Sequence, residues 1–239
     1  MIMRWLAAFA MLAAMAGPGF AQGPEKLEQL EPDKREWQLE YFGLFGGGAD
    51  EREHSFEVMT GITDRLALGV EIEASWADGA LKIEGFAPTA LYQFSDAIDD
   101  PVGIGIEVQA GLDRHGDFAG AEARLIAETR SSAWWLQADL ILRHTRDDGM
   151  SASSVAYAGA INRAVADRLW LGVEGSGQAA RLSGNAALAR AGEHFLGPSL
   201  TYELGLGADR EVEIGIAYLR RLGSTGPPET VRLNIELSL

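Results

Sequence analysis

Cysteine is absent from this sequence. That excludes disulfide staples and a lipid-modified N-terminal cysteine, so an exported fold must be held together by its own burial. Histidine is scarce, with four residues scattered over 239, and no Met- or His-rich tract accompanies them. No dedicated metal site and no cofactor are therefore expected. Positive charge is also short: 20 Lys and Arg face 35 Asp and Glu, a formal net charge of −15. Such an acidic chain is not expected to bind nucleic acid. Long apolar runs are missing beyond Ala21. No later segment approaches the roughly 20 apolar residues that a spanning helix needs. A chain of this kind can occupy a membrane only as a closed barrel, which pairs every backbone group within its own sheet.

Residues 1–21 read as a secretory signal peptide. Met1-Ile2-Met3-Arg4 is a short positive start, Trp5 to Ala16 is apolar, and Gly19-Phe20-Ala21 supplies small residues at the cut. Residues 22–34 are polar and punctuated by Pro24 and Pro32. They are expected to form a flexible periplasmic leader, the alternative being a plug helix in the barrel mouth. Residues 35–239 carry the fold.

What fills those residues is alternation. Asp64-Arg65 leads into Leu66, Leu68, Val70 and Ile72, interleaved with Ala67, Gly69, Glu71 and Glu73. The phrase recurs as Asp167-Arg168-Leu169-Trp170-Leu171-Gly172-Val173-Glu174, and more weakly from Asp209-Arg210 through Val212 to Ile216. Period-two patterning of this kind is a strand with one apolar and one polar face. A larger echo links Pro88-Thr89-Ala90-Leu91-Tyr92 with Pro198-Ser199-Leu200-Thr201-Tyr202. Hairpin duplication and convergence on a common solvent both account for it. Pro88 sits inside a strand pattern whose phase slips near Gly85, as a bulge requires.

The pattern predicts an all-β, antiparallel transmembrane barrel of about twelve strands, each near the ten residues of a tilted membrane strand. An even strand number puts both termini on one side, the periplasmic one. Tight turns such as 63–65 and 166–168 should alternate with longer outer loops, the longest at about 177–192. Trp37, Tyr41, Tyr92, Trp134, Tyr202 and Tyr218 fall in phase with the apolar face, as interface girdles do. A soluble barrel would turn its apolar face inward. Here the opposite face is rich in Gly, Ala, Glu, Gln and Arg, which suits a crowded or wet lumen.

The amphipathic end of the chain, Val231 to Leu239, resembles the insertion signal of bacterial outer-membrane proteins, with Leu239 in place of the usual terminal aromatic. The phrase Gly61-Ile62-Thr63-Asp64-Arg65-Leu66-Ala67-Leu68-Gly69-Val70 resembles one in proteobacterial outer-membrane, transporter-like barrels associated with phenol-degradation pathways. The resemblance implies an outer-membrane location, outer-membrane lipids as surroundings and barrel-assembly machinery as a partner during insertion. It implies no particular substrate.

The candidate lumen residues are Glu71, Glu73, Glu107, Arg124, Asp139, Arg143, Glu174, Glu203 and Glu213, with Glu40, Glu57 and Arg232 on the same face. Two uses fit them. An acidic pore would pass or bind small solutes with a bias toward cations. A lumen closed by Glu–Arg pairs would instead make a plugged barrel that acts through its extracellular loops. A lipid-modifying enzyme fits least. His54 and Ser55 face opposite ways, and no serine follows His144 at same-face spacing, so no catalytic residue is expected.

Overall fold

A computed structural model describes residues 24–30, 34–46, 52–77, 80–97, 100–189, 192–207, 210–223 and 229–239. The signal-peptide segment lies outside them.

Twelve strands form: β1 (Trp37–Gly46), β2 (Arg52–Gly61), β3 (Leu66–Ala77), β4 (Ala80–Ser95), β5 (Gly103–Asp113), β6 (Phe118–Arg130), β7 (Trp134–Asp147), β8 (Met150–Ala166), β9 (Leu169–Gly184), β10 (Glu193–Gly205), β11 (Glu211–Leu222) and β12 (Glu229–Ser238). Each pairs antiparallel with its sequence neighbours, and β1 pairs with β12, which closes the sheet. Closure leaves no strand edge unpaired, the condition for an all-strand structure in lipid. Trp37 and Leu239 exchange backbone hydrogen bonds of 3.1 and 2.9 Å. The first and last strands therefore begin and finish at one end, here the terminal end, and the opposite end is the distal one.

The barrel is inverted relative to a soluble one. Along β3, Leu68, Val70 and Ile72 are 45, 41 and 41% exposed, whereas Ala67 is 2% exposed. The polar face carries the buried side chains, among them Glu57, Glu107, Arg124, Asp139 and Glu174. Trp37, Tyr92, Trp134 and Tyr202 are exposed on the outer face toward the terminal end, and Trp76, Phe118 and Tyr218 toward the distal end. Tyr41 departs from the girdle: it lies mid-strand with its hydroxyl 2.8 Å from His54 Nδ1.

The repeated phrase folds twice into the same hairpin. Leu66 pairs with Tyr92 and Val70 with Pro88, as Leu169 pairs with Tyr202 and Val173 with Pro198. The Arg65 carbonyl accepts from Gln93 N–H at 2.8 Å, and the Arg168 carbonyl from Glu203 N–H at 3.0 Å. Because β3 and β9 stand six strands apart in a ring of twelve, the copies form opposite walls. The slip near Gly85 is a bulge: Glu73 pairs with Gly85 but Ala74 with Ile83, so Glu84 is skipped.

The loop expectation is corrected. Residues 177–184 belong to β9, where Gly177 pairs with Tyr157 and Gln178 with Ala156, leaving only 185–192 as connection. Distal connections as short as 148–149 and terminal ones as long as 96–102 remove the expected length asymmetry. Small residues imitate a loop in sequence, but here they line a wall against which another segment packs.

Candidate functional site

That segment is the leader. Residues 24–30 do not trail outside the barrel as a flexible tail, nor do they form a plug helix. They run through the lumen without helix or strand pairing, with Glu25, Lys26, Glu28 and Leu30 buried. The reason is donor–acceptor matching. Glu25 N–H donates to Ser176 Oγ at 3.1 Å, and the Glu25 carboxylate accepts from Arg143 at 2.7 Å. Lys26 C=O accepts from Arg124 Nη1 at 2.8 Å, and Glu28 N–H donates to Asp139 Oδ2 at 2.9 Å. Gln29 Nε2 reaches Glu213 Oε1 at 2.9 Å. A chain buried without strand pairing must satisfy its backbone somewhere, and the wall side chains supply the partners.

Leu30 sits in an apolar socket formed with Met59, Ala67, Leu91 and Ile126. Gly103 and Gly105 make room for it, since a Cβ on Gly105 would collide with Leu30 Cδ2. Gly105→Ala is therefore expected to loosen the leader. Loosening by 1–2 kcal/mol multiplies the open population roughly 5- to 30-fold, and trypsin cleavage after Lys26, followed by mass spectrometry, reads it directly. Cleavage at the wild-type rate would show that the socket does not hold the leader.

The lumen wall has two unlike halves. On one, ladder register aligns glutamates directly across six neighbouring strands. Glu203 of β10 pairs with Glu213 of β11, which pairs with Glu236 of β12. Glu236 pairs with Glu40 of β1, Glu40 with Glu57 of β2, and Glu57 with Glu71 of β3. Like charges opposite one another are destabilising, so the row depends on donors. Lys26 Nζ lies 2.7 Å from Glu40 and 2.9 Å from Glu57. Gln109 donates to Glu71 at 3.1 Å. Glu203 takes Arg130 and, at 3.0 Å, Trp170 Nε1.

The other half is arginine-centred. Arg124 lies 2.8 Å from Glu122, 3.3 Å from Asp139 and 3.7 Å from Glu28. Arg143 bridges Glu122 and Glu25, at 2.7 Å each. Arg232 belongs to β12 on the acidic side and pairs across the lumen with Glu174 of β9 at 2.6 Å. Of the candidate lumen residues, Glu107, Arg124, Asp139 and Arg143 thus gather near the leader on this half. Glu71, Glu203 and Glu213 lie in the acidic row, Glu174 meets Arg232, and Glu73 sits exposed toward the distal end of β3. Glu107 is 2% exposed, and its Oε1 has no hydrogen-bond partner among the described residues.

Several members escaped the sequence pattern. Trp135 and Trp170 point inward and meet edge to face at 6.0 Å, with the Arg130 guanidinium 4.7 and 5.1 Å from their rings. The readable sign was parity, because Trp170 stands where the first copy has Ala67, an inward position. Ile126 was equally visible as an apolar residue in phase with Glu122, Arg124 and Glu128. Lys26 gave no periodic signal.

Two further features bear on chemistry. His144 Nδ1 meets Ser153 Oγ at 3.0 Å across β7 and β8, a contact that same-strand spacing could not reveal. Ser153 is its hydrogen-bond partner among the described residues, so no carboxylate orients the imidazole as a triad requires. Glu28, Glu40 and Glu57 present oxygens within 4.8 Å of one another, the one such carboxylate trio among the described residues. The Lys26 ammonium sits among them, 2.9 Å from Glu28.

An apolar-out, charge-in closed meander of twelve strands defines the class: the fold is that of outer-membrane β-barrels. No known protein family and no curated protein sequence matches the chain. Solved structures do. The NanC porin superposes with a TM-score of 0.58 at 11% identity, over 84% of this chain and 98% of that one. The KdgM porin gives 0.54 at 12% identity, over 84% and 99%. The COG4313 outer membrane channel from Pseudomonas putida F1 gives 0.50 at 15% identity, over 91% and 99%. At such identities the likeness is one of fold, and it extends over nearly the whole of each of these barrels.

Proposed function

We propose that the protein is a bacterial outer-membrane channel for small solutes, biased toward cations, with its termini on the periplasmic side. The leader closes its lumen in the state described. The apolar belt sits among outer-membrane lipids, and the exposed aromatics lie at the two interfaces. The observation that carries the cation bias is the row of Glu203, Glu213, Glu236, Glu40, Glu57 and Glu71 along one wall. A row of carboxylates in a narrow, low-dielectric passage focuses an attractive potential for cations. The similarity in fold to the NanC and KdgM porins supports the channel reading, and KdgM has been solved in complex with disordered oligogalacturonate. That ligand is an acid, whereas the row in this chain favours the opposite charge. A second reading, a permanently closed barrel acting through its loops, draws on the leader filling the lumen.

Planar-bilayer recording separates the two. Wild-type protein is expected to open rarely. Leu30→Asp, which places a charge in the apolar socket, is expected to stay open, with a reversal potential in a KCl gradient that favours K+. A silent Leu30→Asp channel that still inserts would leave the closed-barrel reading standing, and anion selectivity would remove the cation bias.

A further inference from the structure

The leader carries its own lysine into the acidic wall, and the geometry of that contact defines a chemistry. An alkylammonium head has three N–H donors and no acceptor. Lys26 Nζ finds three carboxylates, Glu28 at 2.9 Å, Glu40 at 2.7 Å and Glu57 at 2.9 Å, with its side chain only 9% exposed. Those distances are the lengths of charge-assisted N–H···O bonds. Two of the three acceptors, Glu40 and Glu57, belong to the barrel wall and face each other across β1 and β2. When the leader withdraws, Lys26 and Glu28 leave together, and these wall carboxylates lose the ammonium between them.

A separate observation concerns acceptors on the same wall that the leader leaves unused. Glu107 is buried beside the same small cavity as Glu40 and Glu57, and its Oε1 accepts no hydrogen bond from the described residues. Glu57 Oε1 is likewise buried and without a hydrogen-bond partner among the described residues. Buried carboxylate oxygens left unpaired are costly, and a donor-rich cation in that cavity would satisfy them. With Lys26 withdrawn, Glu40, Glu57 and Glu107 therefore offer acceptors to another ammonium head in its place.

We propose that Glu40, Glu57 and Glu107 form a binding site for the ammonium groups of small organic amines, and that Lys26 is its built-in occupant. The leader is then a self-ligand: it closes the barrel by imitating the solute, and an amine that reaches the site competes with it. Because the acidic row continues through Glu71 on one side and Glu236 on the other, a diamine is held better than a monoamine. The inference rests on the channel reading for how amines reach the site, not for the site itself.

The test is titration of 1,4-diaminobutane into the full chain in detergent micelles by calorimetry, with tetramethylammonium, which has no N–H donor, as the comparison. If the leader occupies the site in nine molecules of ten, removing the competitor tightens apparent binding about ten-fold. Lys26→Gln is expected to show that gain for 1,4-diaminobutane and none for tetramethylammonium, and Glu57→Gln added to it is expected to abolish the gain. The double variant Lys26→Ala, Glu28→Ala removes a balanced pair of charges, so it gives the same reading if Lys26→Gln misfolds. Diamine binding unchanged in both variants, or matched by tetramethylammonium, overturns the proposal. The same variants in planar bilayers keep the two ideas apart. A cation current without amine binding sinks the site and leaves the channel. Amine binding without any current sinks the channel and leaves the site.

Discussion

Val70→Arg is expected to prevent stable insertion of the barrel. Val70 lies five residues into the twelve-residue β3, points outward, is 41% exposed, and has Val58 and Pro88 as its ladder partners. Arginine on the lipid face of a barrel costs about 2–4 kcal/mol near the midplane, because the guanidinium loses water and finds no counter-charge. The neighbouring residue gives the contrast. Glu71→Gln faces the lumen, keeps an oxygen for Gln109 and removes one of a row of like charges, so its effect should stay within about 0.5 kcal/mol. Folding into lipid vesicles against urea, followed by the heat-modifiable shift on gels, measures both. The duplicated hairpin supplies a replicate, since Val173 occupies the same register position against Pro198 and Val173→Arg should fail alike. Normal insertion of Val70→Arg together with failure of Glu71→Gln would mean that the barrel is not inverted.

Arg124→Met is expected to produce the largest loss in the lumen. Arg124 is 4% exposed and binds Glu122, Asp139, Glu28 and the Lys26 carbonyl. Removing one partner of a buried ionic group leaves the others charged and unsolvated, a penalty of roughly 3–5 kcal/mol. Part of that penalty falls on the leader, because Asp139 also holds Glu28 N–H. Two readouts should therefore move together: a lower urea midpoint in detergent and faster trypsin cleavage after Lys26. Arg124→Lys keeps the charge but not the planar fork, so it should fall between wild type and Arg124→Met. An unchanged midpoint in Arg124→Met would show that the arginine-centred network does not hold the lumen.

The comparison of Val70 with Glu71 also shows what was legible in the sequence. Side chains alternate with period two, so each Glu or Arg in phase with Gly and Ala was assignable to one face from spacing alone. Parity placed Glu71, Glu203 and Glu213 together before any pairing was known. The acidic row was not legible, because a row across strands is a matter of register, and register depends on turn lengths and bulges such as the skipped Glu84. Glu236 shows the limit: it shares the polar face of β12, yet only its pairing with Glu213 and Glu40 places it in the row. The same limit hid the contact of His144 with Ser153, whereas residues 177–184 read as loop because small residues such as Gly177, Ser183 and Gly184 imitate one.

The leader marks the sharper boundary. Its sequence is short, polar and free of periodicity, and such segments ordinarily stay in solvent because they bury too little to offset their lost freedom. What draws it in is a set of partners contributed by other strands: Ser176 of β9, Asp139 of β7, Arg124 of β6, Glu40 and Glu57 of β1 and β2, and the socket around Leu30. The sequence by itself determined the strands, their number and which face meets lipid, because those follow from alternation within each segment. Only the tertiary structure decided what occupies the lumen, because that rests on charges and hydrogen-bonding groups brought together from distant strands when the barrel closes.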